Sequence, residues 1–165
     1  MVIDRKIEIQ TQKETDFVNI TEYALEFIKQ NGCVNGQLLV FTPHTTCSIF
    51  LQEISHDRKP SGMEYMLWDT LNALRRFVPD TMSNGEQLYA HPGQEHVTAA
   101  VGYGEPEFSL LNTDAHLRSS FMGRSQAIPV INGKLILGRF ASIYFVDFDE
   151  TRSRARNVYF QLIGE

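Results

Sequence analysis

The sequence predicts one α+β domain over residues 1–165, in which antiparallel β-structure dominates the C-terminal half. First, 42% of the 165 residues are hydrophobic, which is enough to build a core. Second, apolar residues recur at helical spacing in two segments. Third, two β-rich runs, 127–131 and 134–137, flank Asn132 and Gly133, a dipeptide that favours a type I′ hairpin turn. The elements do not alternate as in a (β/α)₈ barrel, which needs about 200 residues or more.

The N-terminal part predicts a strand, a helix and two further strands. Residues 3–10 alternate apolar with polar side chains, as in a half-buried strand. Residues 20–28 carry an apolar stripe at helical spacing, and Gly32 is placed to end that helix. The apolar runs 37–42 and 47–51 are then typical of buried strands.

The middle of the chain predicts two more helices around an irregular segment. Apolar residues over 63–78 have helical spacing, and Pro79 ends that helix. Residues 93–108 are rich in Gly and Pro, which predicts a long irregular segment with a short strand at 96–101. A short helix should follow over 112–122.

Two further β-rich segments, 142–148 and 158–163, predict the last strands, joined by a turn. The total is seven or eight strands and about three helices. The order of these elements indicates an α+β fold.

Composition excludes several functional classes. A net charge of −5 argues against general nucleic-acid binding. No apolar run is long enough to span a bilayer, and the first residues do not resemble a secretory signal. The two cysteines, Cys33 and Cys47, are expected to be reduced, buried thiols. We therefore expect a cytoplasmic protein with no membrane or nucleic-acid partner.

Three histidines in polar surroundings are the leading candidates for chemistry. They are His44 in a loop after a buried strand, His91 before a proline, and His116 in a short helix. A neutral imidazole can bind a metal and a protonated one can bind a phosphate. None of the pairs has a local metal-ligand spacing, so the fold must bring them together. Each could equally be a hydrogen-bonded or surface histidine.

Five other polar residues have a functional and a structural interpretation. Thr45 and Thr46 could donate to an anion, but threonines are also ordinary β-formers. Glu53 closes the strand that begins at Cys47 and could bind a cation, act as a base, or face solvent. Arg118 follows an aspartate by four residues, so it could form a local ion pair or reach a phosphate. Ser125 lies in the segment 123–125, which is either an anion-binding loop or only the stop of the preceding helix.

The order of these motifs resembles the YjbQ family, whose members are often labelled secondary thiamine-phosphate synthases. The resemblance covers residues 3–164, nearly the whole chain. It rests on an ordered set of short pieces: His44-Thr-Thr46 followed by Glu53, Tyr89-x-His91, Ala115-His-Leu-Arg118, Gly123-x-Ser125-x-x-Ile128-Pro129-Val130, Asn132-Gly-Lys-Leu135 and Leu137-Gly138.

The resemblance implies a compact, mainly antiparallel subunit that forms a homotrimer with a His-lined pocket for a small phosphorylated molecule. The implied reaction joins hydroxymethylpyrimidine diphosphate to thiazole phosphate and releases pyrophosphate. A divalent metal could assist, with zinc favoured and magnesium the alternative for a diphosphate substrate. The implied roles are catalysis by His44, Glu53 and His116, phosphate binding by Thr45, Thr46, Arg118 and Ser125, and metal binding by His44, His91 and His116.

The chain departs from the family pattern in several places. The usual Asn before the glutamate is Gln52, and the usual Asp-Gly-Pro-Arg turn is Asp149-Glu-Thr-Arg152. The usual Leu-Gly-Thr-Trp-Gln is replaced by a segment that ends in Phe140 and Ala141, and the stretch 93–111 is longer. Two hypotheses therefore stay open. The chain is a transferase of thiamine-phosphate synthesis, or it is a non-catalytic trimer that binds a metal or an anion.

Overall fold

The structure is a computed structural model that describes all residues, 1–165. The ten strands are β1 (Val2–Gln10), β2 (Asp16–Asn19), β3 (Gly36–Phe41), β4 (Cys47–Glu53), β5 (Met82–Ser83), β6 (Glu86–Gln87), β7 (Ser125–Ile131), β8 (Lys134–Leu135), β9 (Ala141–Asp147) and β10 (Ala155–Gly164). The four α-helices are α1 (Thr21–Asn31), α2 (Tyr65–Phe77), α3 (Gln94–Gly102) and α4 (Thr113–Met122), with a 3₁₀ turn at Glu107–Leu110.

Two antiparallel sheets form the body of the fold. The larger has the order β1-β10-β3-β7-β8 and the smaller has the order β2-β9-β4. β5 and β6 form a separate small hairpin. This architecture confirms the predicted mainly antiparallel α+β fold.

The main core lies between the two sheets, beneath α1. It includes Leu38 and Phe160 from the larger sheet and Ile49 and Phe145 from the smaller one. A second apolar cluster joins the opposite face of the smaller sheet to α2 and α4. The smaller sheet is thus covered on both faces, which is why Ile143–Val146 are all buried and the local sequence is apolar throughout.

The predicted strand at 96–101 is wrong, because these residues belong to α3. Two β-branched valines in the stretch favoured the strand interpretation, but its two alanines, and Gln94 and Glu95 just before it, are good helix formers. This helix makes four α-helices rather than three. The predicted hairpin is confirmed, since Asn132 and Gly133 have φ angles of 51° and 72°. None of the helices combines the length and apolar character needed to cross a membrane.

The fold brings four chain segments together at one end of the sheet sandwich. The loop from β3 to β4 carries His44, Thr45 and Thr46, β9 ends at Asp147, and β10 begins beside Arg156. Helix α4 packs against β4 and approaches the same end. Polar residues at the ends of these elements can therefore meet.

Candidate functional site

A polar cleft of about 420 Å³ lies where these four segments meet. Most of the side chains around it can ionise or form hydrogen bonds: His44, Thr45, Thr46, His96, Tyr103, Glu105, Ser109, Asn112, His116, Asp149, Arg154 and Arg156. A small, polar and charged ligand suits such a lining better than an apolar one.

A buried ion pair forms the floor of the cleft. The Asp147 side chain is fully buried and accepts from Arg156 Nε at 2.6 Å. Thr46 Oγ1 donates to the other carboxylate oxygen of Asp147 at 2.9 Å and accepts from Arg156 Nη2 at 3.0 Å. Since a buried charge is stable only when it is paired, this triad is a rigid support. Thr46, predicted to bind phosphate, is occupied within it.

His44 is held in a defined tautomer. Its Nε2 accepts a hydrogen bond from the backbone N–H of Asn157 at 2.9 Å, which assigns the ring proton to Nδ1. Burial lowers the pKa of His44, and the positive charge of Arg156 adds to this effect. The ring is therefore neutral at pH 7, and its Nε2 lone pair is already engaged.

In His116, unlike His44, Nε2 has no hydrogen-bond partner. Its Nδ1 lies 3.3 Å from the backbone oxygen of Thr45, so Nδ1 carries the proton and Nε2 keeps a free lone pair. Burial lowers the pKa of His116, although the Thr45 carbonyl acts in the opposite direction. The ring is a neutral base at pH 7. Thr45 contributes this carbonyl as well as a hydroxyl to the wall of the cleft.

Arg154 is the cleft cation with the weakest pairing. Its Nη2 lies 3.7 Å from Asp149 Oδ2 and 3.7 Å from Glu105 Oε2, and its Nε is buried with no hydrogen-bond partner. Asp149 is also bound by Asn112 Nδ2 at 3.2 Å and by Thr151. Arg154 thus has donor capacity that the protein leaves unused.

His91 joins a group with two other histidines rather than with His44. The ring centroids of His91 and His96 are 4.4 Å apart, and those of His91 and His116 are 6.4 Å apart. Burial and the two neighbouring histidines lower the pKa of His91. No group of three or more His, Cys, Asp or Glu side chains is arranged to hold a metal ion. The predicted set of His44, His91 and His116 is therefore not assembled as one ligand group.

Arg118 is placed in the protein interior, away from the cleft lining. Its side chain is fully buried, and its guanidinium donates to Val78 O at 2.9 Å and to Asp80 Oδ1 at 2.7 Å. The predicted i, i+4 ion pair with Asp114 is present at 3.0 Å. Arg118 thus joins α4 to the end of α2, and a phosphate in the cleft does not meet it.

Glu53 and Ser125 also lie outside the cleft. Glu53 is six residues from Cys47 along extended β4, which places it roughly 20 Å from the end of the strand that borders the cleft. Ser125 is an exposed residue at the start of β7, opposite Phe41. The register pairs Glu53 with Ala141, so Ala141 and the adjacent Phe140 lie at the distant end as well. Of the departures from the family pattern, the longer 93–111 stretch and the turn that begins at Asp149 border the cleft.

Several cleft residues were missed by sequence reasoning. The alternation of Arg152, Arg154 and Arg156 was a usable signal, because residues two apart in extended chain share a face. The carboxylates Asp147 and Asp149 have the same spacing. No local pattern indicated that Glu105 would reach these arginines.

Comparison with known proteins agrees with this architecture. Residues 5–165 match the family described as UPF0047 protein YjbQ-like. UPF0047 protein YugU of Bacillus subtilis is 30% identical over 162 residues, which is 97% of this chain and 98% of the relative. A UPF0047 protein of Methanothermobacter thermautotrophicus is 31% identical over 153 residues, 93% of this chain and 87% of the relative.

Solved structures share the fold. A YbjQ-like protein of unknown function from Sulfolobus solfataricus superposes with a TM-score of 0.75 at 24% identity, covering 100% of this chain and 99% of that one. An uncharacterized conserved protein of the YjbQ/UPF0047 family from Clostridium acetobutylicum gives a TM-score of 0.71 at 30% identity, covering 96% and 99%. With its match across residues 5–165, this chain belongs to the YjbQ-like UPF0047 family.

Proposed function

We propose that the cleft binds a small phosphorylated molecule and that the chain transfers a group with loss of pyrophosphate. The observation that carries the proposal is the state of Arg154, whose guanidinium borders the cleft and whose Nη2 makes only loose carboxylate contacts at 3.7 Å. Guanidinium donors match phosphoryl oxygens well, so an incoming phosphate completes a pairing that the protein leaves unfinished.

His116 and Arg156 have complementary roles in this proposal. Neutral His116 offers the free lone pair of Nε2, which can take a proton from a phosphoryl group. The protonated ring then donates a charge-assisted hydrogen bond to the phosphoryl oxygen. Arg156 is engaged by Asp147 and holds the floor of the cleft rather than moving to the ligand. His44 acts as a fixed neutral wall, because its Nε2 is occupied.

For the reaction, we retain the chemistry implied by the resemblance to thiamine-phosphate synthases. The thiazole nitrogen forms a bond to the benzylic-type carbon of the hydroxymethylpyrimidine while the bond from that carbon to the diphosphate oxygen breaks. The diphosphate departs with the electron pair and its negative charge. Donors fixed where this charge develops lower the barrier, and Arg154 and protonated His116 are the suitable groups. Glu53 takes no part, since it lies at the other end of β4.

Calorimetric titration of pyrophosphate tests binding, and assays with the two thiamine precursors test turnover. Arg154→Gln should weaken pyrophosphate binding about tenfold or more, since a charge-assisted pair is worth about 1.5–3 kcal/mol. Arg139→Gln, the same change at an exposed position, is the control and should bind as the wild type does. Equal affinity in all three proteins would contradict the proposal. Binding without turnover would leave an anion-binding module rather than a transferase.

A second candidate function is divalent metal binding, with zinc favoured and magnesium the alternative beside a diphosphate. It is favoured by the neighbouring rings of His91, His96 and His116 and by the free Nε2 of His116. These rings would have to turn to meet zinc at about 2.0–2.1 Å. Zinc titration at pH 5.5 and 7.5 separates the candidates, because metal binding needs neutral imidazole and weakens in acid. Equal zinc affinity in wild type and His116→Ala would exclude His116 as a ligand.

We also propose that the functional unit is a homotrimer. The outer face of the larger sheet leaves Val2, Ile131, Tyr159 and Ile163 exposed by 39–67%. Closed cyclic association would remove these apolar side chains from water and protect the sheet edges. Light scattering should give three times the 18.9 kDa chain mass. A monomer mass throughout the micromolar range would contradict this.

A further inference from the structure

One wall of the cleft is only lightly attached to the rest of the chain. None of the side chains over residues 94–108, which include α3, is buried. The chain is held in place on both sides of this segment, by Leu88–His91 before it and by buried Ser109 and Leu110 after it. Segments with few buried contacts open at a low free-energy cost.

A single carboxylate ties this wall to Arg154, which lines the cleft, and to the neighbouring Arg152. Glu105 Oε2 forms an ion pair with Arg152 Nη2 and lies 3.7 Å from Arg154 Nη2. Apart from hydrogen bonds to the residues that adjoin it in the chain, such as Gly93 and Ser109, these contacts of Glu105 are the ones that join residues 94–108 to the rest of the chain. Glu105 is therefore the one side chain of the wall that forms an ion pair with the rest of the chain.

The Glu105 carboxylate occupies a position that also suits an anionic ligand. Its carboxylate engages the Nη2 atoms of two guanidinium groups, those of Arg152 and Arg154. One carboxylate supplies fewer acceptors than the two groups can use, whereas a diphosphate carries more oxygens and more charge. A diphosphate would therefore offer these two groups more acceptors than the carboxylate does.

We propose that Glu105 is a latch, which occupies the anion subsite of Arg152 and Arg154 in the free protein and is displaced by a phosphoryl group of the ligand. The inference rests on the proposed function, because it assumes that the cleft takes a phosphorylated molecule. It adds an anion subsite, Arg152 with Arg154, and makes entry depend on opening of residues 94–108.

The test compares the wild type with Glu105→Gln and with Glu107→Gln. Glu107 is exposed, forms no ion pair and gives the same change in net charge, so it is a matched control. In calorimetric titration, Glu105→Gln should bind pyrophosphate about fivefold more tightly than the wild type, because the competing ion pair is partly exposed and weak. Glu107→Gln should differ less than twofold from the wild type.

Hydrogen exchange supplies an independent readout. Saturating pyrophosphate should make the amides of α3 exchange faster, since the latch is released, while the amides around Arg154 and Arg156 exchange more slowly. Slower exchange in α3 on binding would overturn the latch.

The outcomes separate the two claims. Wild type and Glu105→Gln binding pyrophosphate with equal affinity would overturn the latch and leave the proposed function standing. Weaker binding by Glu105→Gln would show that Glu105 supports the ligand, which also overturns the latch. Absence of binding in all three proteins at millimolar pyrophosphate would overturn both.

Discussion

Replacing Arg118 with methionine distinguishes a structural arginine from a ligand-binding one. The change removes the donors to Val78 O, at 2.9 and 3.3 Å, and leaves the Asp114 carboxylate, only 13% exposed, without its cation. An unsatisfied buried carbonyl costs about 1 kcal/mol or more, and breaking a buried ion pair costs about 3–5 kcal/mol. Methionine recovers part of this by filling the space, so we expect a loss of about 3 kcal/mol in the free energy of unfolding.

Urea denaturation followed by circular dichroism measures this loss. Asp80→Asn is the control, because Asp80 is 52% exposed and its pair with Arg118 should contribute less than about 1 kcal/mol. Without urea, and at a temperature where Arg118→Met stays folded, the pyrophosphate affinity of this variant should equal that of the wild type. A variant that keeps wild-type stability but loses pyrophosphate binding would refute this reasoning and restore Arg118 as a phosphate ligand.

Three further outcomes follow from burial and backbone geometry. Burial lowers the pKa values of His44 and His116, so the unfolded chain takes up protons before the folded chain as pH falls below about 6.5. The free energy of unfolding measured in urea should therefore decrease between pH 7 and 5. A rise over this range would contradict the argument. Burial also raises the pKa of the Cys47 thiol, so a thiol reagent should label it only after denaturation, and rapid labelling of the native protein would be unexpected. Gly36→Ala puts a methyl group 2.3 Å from the Ile163 carbonyl oxygen and should cost about 1–3 kcal/mol, whereas Gly102→Ala meets open space and should cost nothing in the same urea assay.

Much of the fold could be predicted because its strongest elements carry local signals. The hairpin at Asn132 and Gly133 needs two positive φ angles, and asparagine and glycine are the residue types that favour them. Helix α3 was mistaken for a strand because its segment is short and exposed, so no apolar stripe marks its period. Strand β2 was missed because four residues are too few to show alternation.

The candidate site was predictable only in part. His44 and His116 were identified from their polar neighbours, and both line the cleft. For Arg118 the sequence indicates the ion pair but not the burial, which depends on how the end of α2 packs over α4. The contact of Glu105 with Arg152 joins residues 47 positions apart, and only the assembled fold brings them together.

The central claim is that the cleft holds a phosphorylated molecule, and a crystal structure of the wild-type protein soaked with pyrophosphate tests it most directly. The account predicts a diphosphate within hydrogen-bond distance of Arg154 and His116, with the Glu105 carboxylate moved away from Arg152. A diphosphate bound instead beside Glu53 or Ser125, or a cleft that stays free of it while the ligand binds elsewhere, would contradict the account.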